Sequence, residues 1–267
     1  MSDPIRFTAK MKGGSDVVRL LNRHPEKIGR TLESLVKQEA RGLAVELARN
    51  TRPHGVSQKA RKRGEKAVAA DIGRVFATPE QAYETAKAAD MTHADRFWAH
   101  VQNRRFARAR QALAESPSKW NSLPVGRLDP KFHQESRTGP HANVKRREPA
   151  QIVTSRKALQ TYIARIQKRV GFAKGVWIKA AKDIGGRVRG AAQWASRHRK
   201  APGSATVKSG TKPSVTLISR LDYMDDVLTE AGVRLAMEVA AGRLRRALVT
   251  SLRKINGRIQ RRLKKAA

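Results

Sequence analysis

The chain has 267 residues, of which 39% are hydrophobic, enough to bury the core of one large domain or two small ones. It contains 57 Lys and Arg against 22 Asp and Glu, giving a formal net charge of +35, and it contains no cysteine. The missing cysteines exclude a disulfide framework and thiolate metal sites, and they fit a reducing cytoplasm.

The excess positive charge indicates a polyanionic partner, because such a field attracts DNA, RNA, anionic lipid or acidic protein. Alternatively, the chain neutralises negatively charged subunits inside an assembly. No stretch approaches the roughly 20 apolar residues that span a bilayer, and the N-terminal sequence MSDPIRFTAK lacks the apolar core of a signal peptide. We therefore expect no membrane partner, and a protein that works inside a cell or in a particle assembled there.

The start of the chain predicts a strand and two helices. A short strand over residues 5–7 precedes a glycine turn at 13–14 and a short helix around residues 17–21. A long helix follows. Pro25 suits its first turn, and apolar residues recur at helical spacing until about Thr51.

Further helices are predicted in the next segment. Ser57 is the expected N-cap of the first, and Thr78-Pro79-Glu80 is a strong cap signal for the second. Another helical stretch begins at Thr92, with a break near Asn103. The sequence therefore predicts consecutive short helices up to about residue 115.

Residues 116–150 differ from the rest because they hold five prolines and no apolar period. A loop of that length in a compact domain is usually functional, or disordered until a partner orders it. We interpret the segment as an irregular assembly arm that neighbouring subunits order. The residues that it would present to a neighbour are Trp120, Leu123, Val125, Leu128 and Phe132.

The second half begins with a predicted strand at 151–154, followed by two helices over residues 155–186. A basic Gly/Ser/Thr/Pro stretch at 197–213 separates these from SVTLIS at 214–219, whose alternation predicts a strand. Core anchors are predicted at Trp177 and Trp194.

The terminal helix has the most regular pattern. Val233, Leu244 and Ile255 are 11 residues apart, and neighbouring rows repeat this spacing, which keeps an apolar stripe nearly straight along an α-helix. We expect this stripe to pack the helix onto the body of the protein. Its members are Leu244, Leu248, Leu252, Ile255 and Ile259, extended towards the N-terminus by Met237.

The remaining arc of the terminal helix is cationic, and acids at its start complement the helix dipole. Cations on an exposed helix face can contact phosphates or acidic surfaces. The candidate polyanion-facing residues are Arg243, Arg246, Arg253, Lys254, Arg258, Arg261 and Lys265.

Together these patterns predict an α+β, predominantly helical fold. Long N- and C-terminal helices would pack with a small antiparallel sheet, joined by a helical insertion and a long irregular arm. Residues 1–78 would hold the first strand and long helices of the core, and residues 79–150 the insertion and the arm. Residues 151–267 would hold the remaining core helices, the closing strand and the basic C-terminal helix.

Catalytic signatures are missing from the sequence. It contains no Walker loop, GxGxxG, GxSxG or HExxH motif. YMDD at 223–226 copies the tetrad with which reverse transcriptases bind Mg²⁺, but here it begins a helix in an acid-poor chain without a recognisable palm. We therefore interpret its aspartates as N-terminal helix charges, and we expect no enzymatic activity and no cofactor.

Two sets of histidines could contribute to a metal site. His93 lies seven residues before His100, and His133 lies near Glu135 and His141. Zinc sites usually need three or four ligands in fixed geometry, so we expect no metal. The chain also has only 6 Phe, 4 Trp and 3 Tyr, which argues against binding single strands by base stacking.

Four quoted segments carry a family resemblance. The first long helix closes in ARNTRPHG, and SVTLISRLDYMDDVL precedes the terminal helix. With the opening strand and glycine turn, this order resembles the tail-completion (neck) proteins of tailed bacteriophages. KARKRGEKAVAADIGRVFATPEQAYE and RVGFAKGVWIKAAKDIGG also resemble a longer group of phage and prophage structural proteins, encoded among head–tail connector and tail genes. The insertion at 80–150 departs from the short neck proteins.

The resemblance implies a non-enzymatic virion protein at the head–tail junction or tail, present in the host cytoplasm during assembly. It implies a homo-oligomeric ring, with portal or connector and tail proteins as neighbours and packaged double-stranded DNA in the lumen. The alternative is a free basic nucleic-acid-binding protein of the ribosomal or histone-like kind. A helix lying on a membrane surface is disfavoured, because the apolar face of the terminal helix carries no Trp or Phe.

Overall fold

The computed structural model describes residues 5–9, 32–138, 148–185, 188, 190–209 and 213–266. It confirms a predominantly helical α+β fold. The helices are α1 (Leu32–Asn50), α2 (Gln58–Val75), α3 (Pro79–Lys87), α4 (Met91–Gln102), α5 (Phe106–Ala114), α6 (Pro130–Thr138), α7 (Arg156–Gln167), α8 (Phe172–Asp183), α9 (Met224–Val227) and α10 (Glu230–Ala266), with a 3-10 helix at Gln193–Arg197. The strands are β1 (Ile5–Ala9), β2 (Phe76–Ala77), β3 (Val125–Gly126), β4 (Gln151–Val153), β5 (Gly203–Lys208) and β6 (Ser214–Ser219). The predicted glycine turn, the short helix around 17–21 and the start of the long helix lie outside the described residues.

The chain divides into two compact units. Unit 1 comprises Met1–Gly64 and Val170–Ala267, and unit 2 comprises Glu65–Arg169. Unit 2 is therefore larger than the insertion predicted for residues 79–150. The reason is that the end of α2, together with β4 and α7, contributes apolar side chains to the core of unit 2 rather than to that of unit 1.

Unit 1 contains the predicted antiparallel sheet. β6 lies between β1 and β5, with Leu217 paired to Phe7 on one side and to Ala205 on the other. Val215 and Leu217 are buried, whereas alternate residues of β6 are half-buried, as the sequence alternation predicts. β5 was not predicted, because its sequence GSATVK has the composition of a loop.

The core of unit 1 centres on the packing of α8 against α1 and the sheet. Trp177 is fully buried, and its Nε1 donates to Thr51 Oγ1 at 3.2 Å. Trp194 Nε1 donates to the Val56 carbonyl at 3.0 Å. Both tryptophans are thus core anchors, as predicted, because each finds a partner for its single polar group.

A lysine is enclosed in the same core. Lys174 on α8 is fully buried, and its ammonium group donates to the carbonyls of Ala48 and Thr51 at the C-terminal end of α1. Burial lowers the pKa of Lys174 to about 7. The side chain therefore supplies donors to terminal helix carbonyls, at the cost of enclosing a basic group.

Unit 2 combines short helices with a three-stranded parallel sheet in the order β2-β4-β3. The sequence did not predict this sheet beyond β4. Both predicted caps are confirmed: Thr78 and Gln81 form a capping box at α3, and Ser57 Oγ accepts from Ala60 N at 3.4 Å where α2 begins. Ser155, which was not predicted as a cap, accepts from Ala158 N at α7. α4 begins one residue before Thr92, with Asp90 as its N-cap.

The prediction of a long irregular arm is wrong for residues 116–138 and 148–150. This segment contains β3 and α6, and its apolar residues are packed rather than free. Trp120, Leu123 and Val125 contact one core cluster of unit 2, and Leu128 and Phe132 contact the other. Residues 139–147 lie outside the described residues.

His133 anchors this segment. It is buried on α6, its Nδ1 lies 2.9 Å from the Tyr162 hydroxyl, and its Nε2 lies 3.2 Å from Asp71 Oδ2. One imidazole therefore links α6 to both α7 and α2. Prolines break the helical period in the sequence, but they do not prevent the residues between them from packing.

Candidate polyanion-binding surface

A short non-helical segment separates the terminal helix α10 from the helix before it. YMDD starts the four-residue helix α9, in which Met224 is buried and Asp225 and Asp226 are exposed. The chain is extended at Leu228, and Thr229 Oγ1 then accepts from Gly232 N at 3.3 Å to begin α10. The two aspartates therefore lie in a helix and not on the hairpin turn of a polymerase motif. The prediction that they begin the terminal helix is wrong, because the extended residue Leu228 separates α9 from α10, whose first-turn acid is Glu230.

Small residues hold α10 against α1. Ala236 is fully buried, and Gly232, Ala240 and Ala247 on the same face are half-buried. A Cβ placed on Gly232 would lie 3.3 Å from the Asn50 Cβ, so the two helices approach closely where α10 begins. Small side chains allow such an approach, and they define the packing face of α10.

The predicted Leu/Ile stripe is not this packing face. At about 100° per residue, the stripe lies roughly 100° round the helix from Ala236. Met237 is 47% exposed, while Leu244 and Leu248 are only half-buried. The prediction of a core-packed stripe is therefore wrong for these residues, because α1 packs on the small residues instead. The side chains of Leu252, Ile255 and Ile259 lie outside the described residues.

Arg243 also takes a different position from the one predicted. Its guanidinium donates to Oε1 of Glu46, which is only 3% exposed on α1, and Arg49 lies 3.2 Å from the other oxygen. These side chains line a groove of about 490 Å³ with Arg41, whose guanidinium donates to the Gly185 carbonyl. Arg243 therefore belongs to the contact between α1 and α10 and is not a free phosphate ligand.

Replacing Arg243 by alanine should consequently destabilise the fold, whereas Arg246→Ala should not. Without Arg243, Glu46 keeps Arg49 as its one charged partner among the described residues, and we expect a loss of about 2 kcal/mol in the free energy of unfolding. Arg246 is exposed, and its loss should change stability by less than about 0.5 kcal/mol. Urea denaturation of both variants measures the difference. If both variants lose the same free energy of unfolding, Arg243 does not stabilise the contact between α1 and α10.

Three of the predicted polyanion-facing residues are available. Arg246, Arg253 and Lys254 are exposed, and no ion pair joins them to an acid within the described part of the chain. Arg245 is also exposed and was missed. The side chains of Arg258, Arg261 and Lys265 are outside the described residues. These cations can attract phosphate or carboxylate groups, since no acid in the described ranges pairs with them.

The histidine sets and a membrane-spanning helix are the remaining alternatives. Among the described residues, no group of three or more His, Asp or Glu side chains could hold a metal ion, and His141 is not among them. None of the described helices is both long enough and apolar enough to cross a membrane. Comparison with protein-family models, with curated proteins and with solved structures finds no match to this chain.

Proposed function

We propose that the chain is a non-enzymatic structural subunit of a phage particle at the head–tail interface. In this proposal its copies assemble into a ring with portal, connector and tail proteins, and a basic surface faces packaged DNA or acidic neighbours. The observation that carries the proposal is the Met237–Leu248 stripe of α10, which the fold of unit 1 covers only in part: Met237 is 47% exposed, and Leu244 and Leu248 are half-buried.

A partly uncovered apolar stripe on a long helix favours an assembly partner. α10 has 37 residues and is about 55 Å long at 1.5 Å per residue. Contiguous exposed apolar surface usually marks an interaction site. Exposed cations at Arg246, Arg253 and Lys254 lie on the same helix, so copies brought together by their stripes repel each other until an anion neutralises them. This arrangement suits a subunit that assembles around a polyanion.

The location of the resembling segments also supports the proposal. The opening strand and the closing strand pair as β1 and β6, and the first and last long helices pack as α1 and α10. All four belong to unit 1. The segments that resemble neck proteins thus form one compact unit, and unit 2 is inserted between them.

The proposal predicts that the stripe is needed for assembly but not for folding. In Met237→Gln/Leu248→Gln, two incompletely buried side chains become polar, and we expect a folded chain whose self-association is at least about tenfold weaker. Native mass spectrometry and negative-stain electron microscopy, with and without duplex DNA, measure the assembly. The matched control is Leu235→Gln/Val249→Gln, because those side chains are 51% and 41% exposed on another face of α10.

The oligomeric state decides between the proposal and its alternative. Rings that the control variant retains and the stripe variant loses are the expected result. A wild-type chain that stays monomeric with DNA, and also with co-expressed connector proteins, would contradict the proposal. That outcome would favour a free nucleic-acid-binding protein of the ribosomal or histone-like kind.

A further inference from the structure

The turn between α4 and α5 in unit 2 has the geometry of a Schellman motif. Arg104 N donates to the Val101 carbonyl at 3.0 Å, and Arg105 N donates to the His100 carbonyl at 2.9 Å. Asn103 is the C-cap, and Arg104 follows it with φ 54°, in the left-handed region. This motif usually places glycine at the left-handed position and an apolar residue immediately after it.

Arginine occupies both of these positions here. A left-handed backbone is unfavourable for any residue with a Cβ, so glycine at 104 would give a more stable turn. Arg105 is exposed and cannot supply the apolar contact that usually follows. The stability of the turn therefore does not account for either arginine.

A third arginine lies in the first turn of α5. Arg108 is exposed, it follows Arg104 by four residues and Arg105 by three, and α5 has neither an acid in its first turn nor a side-chain cap. Like charges at these spacings repel, and cations are disfavoured at the N-terminal end of a helix. No ion pair joins the three arginines to an acid in the described part of the chain. Each of the three arginines thus lies at a position that a bound anion would stabilise.

The turn is held by a packed scaffold. α4 packs against α5, and Phe97 on α4 and Leu113 on α5 are fully buried in the same core cluster. The arginine backbones are therefore fixed before a ligand arrives, which lowers the entropy cost of binding.

We infer that Arg104, Arg105 and Arg108 form a phosphate-binding patch for the backbone of duplex DNA. Guanidinium groups bind phosphate oxygens in bidentate geometry. The phosphates of duplex DNA are closely spaced, so several cations on one turn bind its backbone more tightly than a single cation does. Residues 104–108 include no exposed large hydrophobic side chain, whereas the centre of a protein interface is usually apolar. The patch contacts the phosphate backbone of DNA and does not recognise the base sequence. It does not depend on the proposed ring, since it lies in unit 2 and the apolar stripe lies in unit 1.

The test measures binding of the full-length chain to labelled duplex DNA as a function of salt. Arg104→Gln/Arg105→Gln/Arg108→Gln should bind at least about tenfold more weakly at physiological salt, and the slope of log K against log salt should fall by about 2–3. The matched control removes the same charge elsewhere in unit 2, at the exposed residues Lys131, Lys157 and Arg169. It should keep most of the affinity and of the slope.

Two results of this comparison would overturn the patch. Equal losses in the two triple variants would mean that DNA responds only to net charge, and no loss in the arginine variant would mean that the turn does not touch DNA. Polyglutamate is the second probe. If it binds the wild type as tightly as DNA does, and the arginine variant loses both equally, the patch serves an acidic protein instead.

Arg104→Gly separates binding from folding. Glycine suits the left-handed position, so this variant should melt about 2–4 °C higher than the wild type. It should also lose one phosphate contact, which lowers the salt slope by roughly 0.9. A lower melting temperature, or an unchanged slope, would contradict the assignment of Arg104. The assembly experiment above can fail without affecting this result.

Discussion

Gly203→Ala should destabilise unit 1 by about 3 kcal/mol or more. A Cβ on Gly203 would lie 2.0 Å from the carbonyl oxygen of Val176 and 2.7 Å from its carbonyl carbon. Both are backbone atoms of α8, so no side-chain rotation can relieve the overlap. β5 would have to move away from α8, or lose its pairing of residue 203 with Ser219.

Gly242→Ala is the control in the same unit. At that site the new Cβ would meet only the end of the Arg246 side chain, at 3.9 Å, and the residue lies inside a helix. Alanine should therefore stabilise α10 by about 0.5–1 kcal/mol. Urea denaturation, followed by tryptophan fluorescence, measures both changes. A Gly203→Ala protein as stable as the wild type would mean that β5 does not pack on α8 as closely as described.

The second large effect concerns pH and Lys174. Burial holds the pKa of Lys174 at about 7 in the folded chain, against 10.5 for an exposed lysine. Between these values the unfolded chain binds more protons than the folded chain, so the free energy of unfolding rises with pH. The rise approaches about 1.4 kcal/mol per pH unit, or roughly 4 kcal/mol between pH 7 and pH 10. Below pH 7 this contribution is constant, because both states are protonated.

Lys174→Met should abolish this pH dependence. Methionine retains an unbranched side chain but has no group that titrates, so the variant should lack the rise above pH 7. Lys179→Met on the same helix is the control, because Lys179 is only half-buried and should leave the rise in place. The measurement is urea denaturation of all three proteins at each pH unit from 6 to 10. Parallel curves for wild type and Lys174→Met would show that Lys174 keeps its proton in the core.

Local signals in the sequence were sufficient for much of the fold. Ser57 and Thr78 cap the predicted helices because a cap depends on residues three positions apart. The alternation of 214–219 predicted β6, and the length and regularity of the last segment predicted α10. Each of these features is encoded within a few neighbouring residues.

Features set by distant contacts could not be predicted in this way. β5 is a strand because β6 pairs with it, although GSATVK has weak strand propensity. Lys174 is buried because its ammonium reaches the end of α1, more than 120 residues earlier in the chain. The 11-residue repeat predicted an apolar stripe along α10, but the choice of packing face depended on the small residues around Ala236.

The candidate binding residues also include some that local sequence could identify and some that depend on distant contacts. In the sequence, Arg243 resembles Arg246, and only the position of Glu46 on a distant helix distinguishes them. The patch at the α4–α5 turn did have a sequence signal. An amphipathic helix ends there in Asn103-Arg104-Arg105, where glycine would usually follow the cap. Arginine at that position is less stable than glycine would be, which indicates a role other than stabilising the turn.

The insertion of unit 2 has a consequence for folding during synthesis. β1 cannot pair until β6 has been made, because Ile5 pairs with Ser219, whereas every residue of unit 2 precedes Val170. Unit 2 is thus complete while unit 1 still lacks α8, β5, β6 and α10. Its ends are joined by Gln167 Nε2, which donates to the Glu65 carbonyl at 2.8 Å. Once unit 2 folds, the loop that separates the halves of unit 1 shrinks from about a hundred residues to a few, which lowers its closure entropy cost by roughly 2–3 kcal/mol. If unit 2 folds first, the two halves of unit 1 therefore associate at a lower entropy cost.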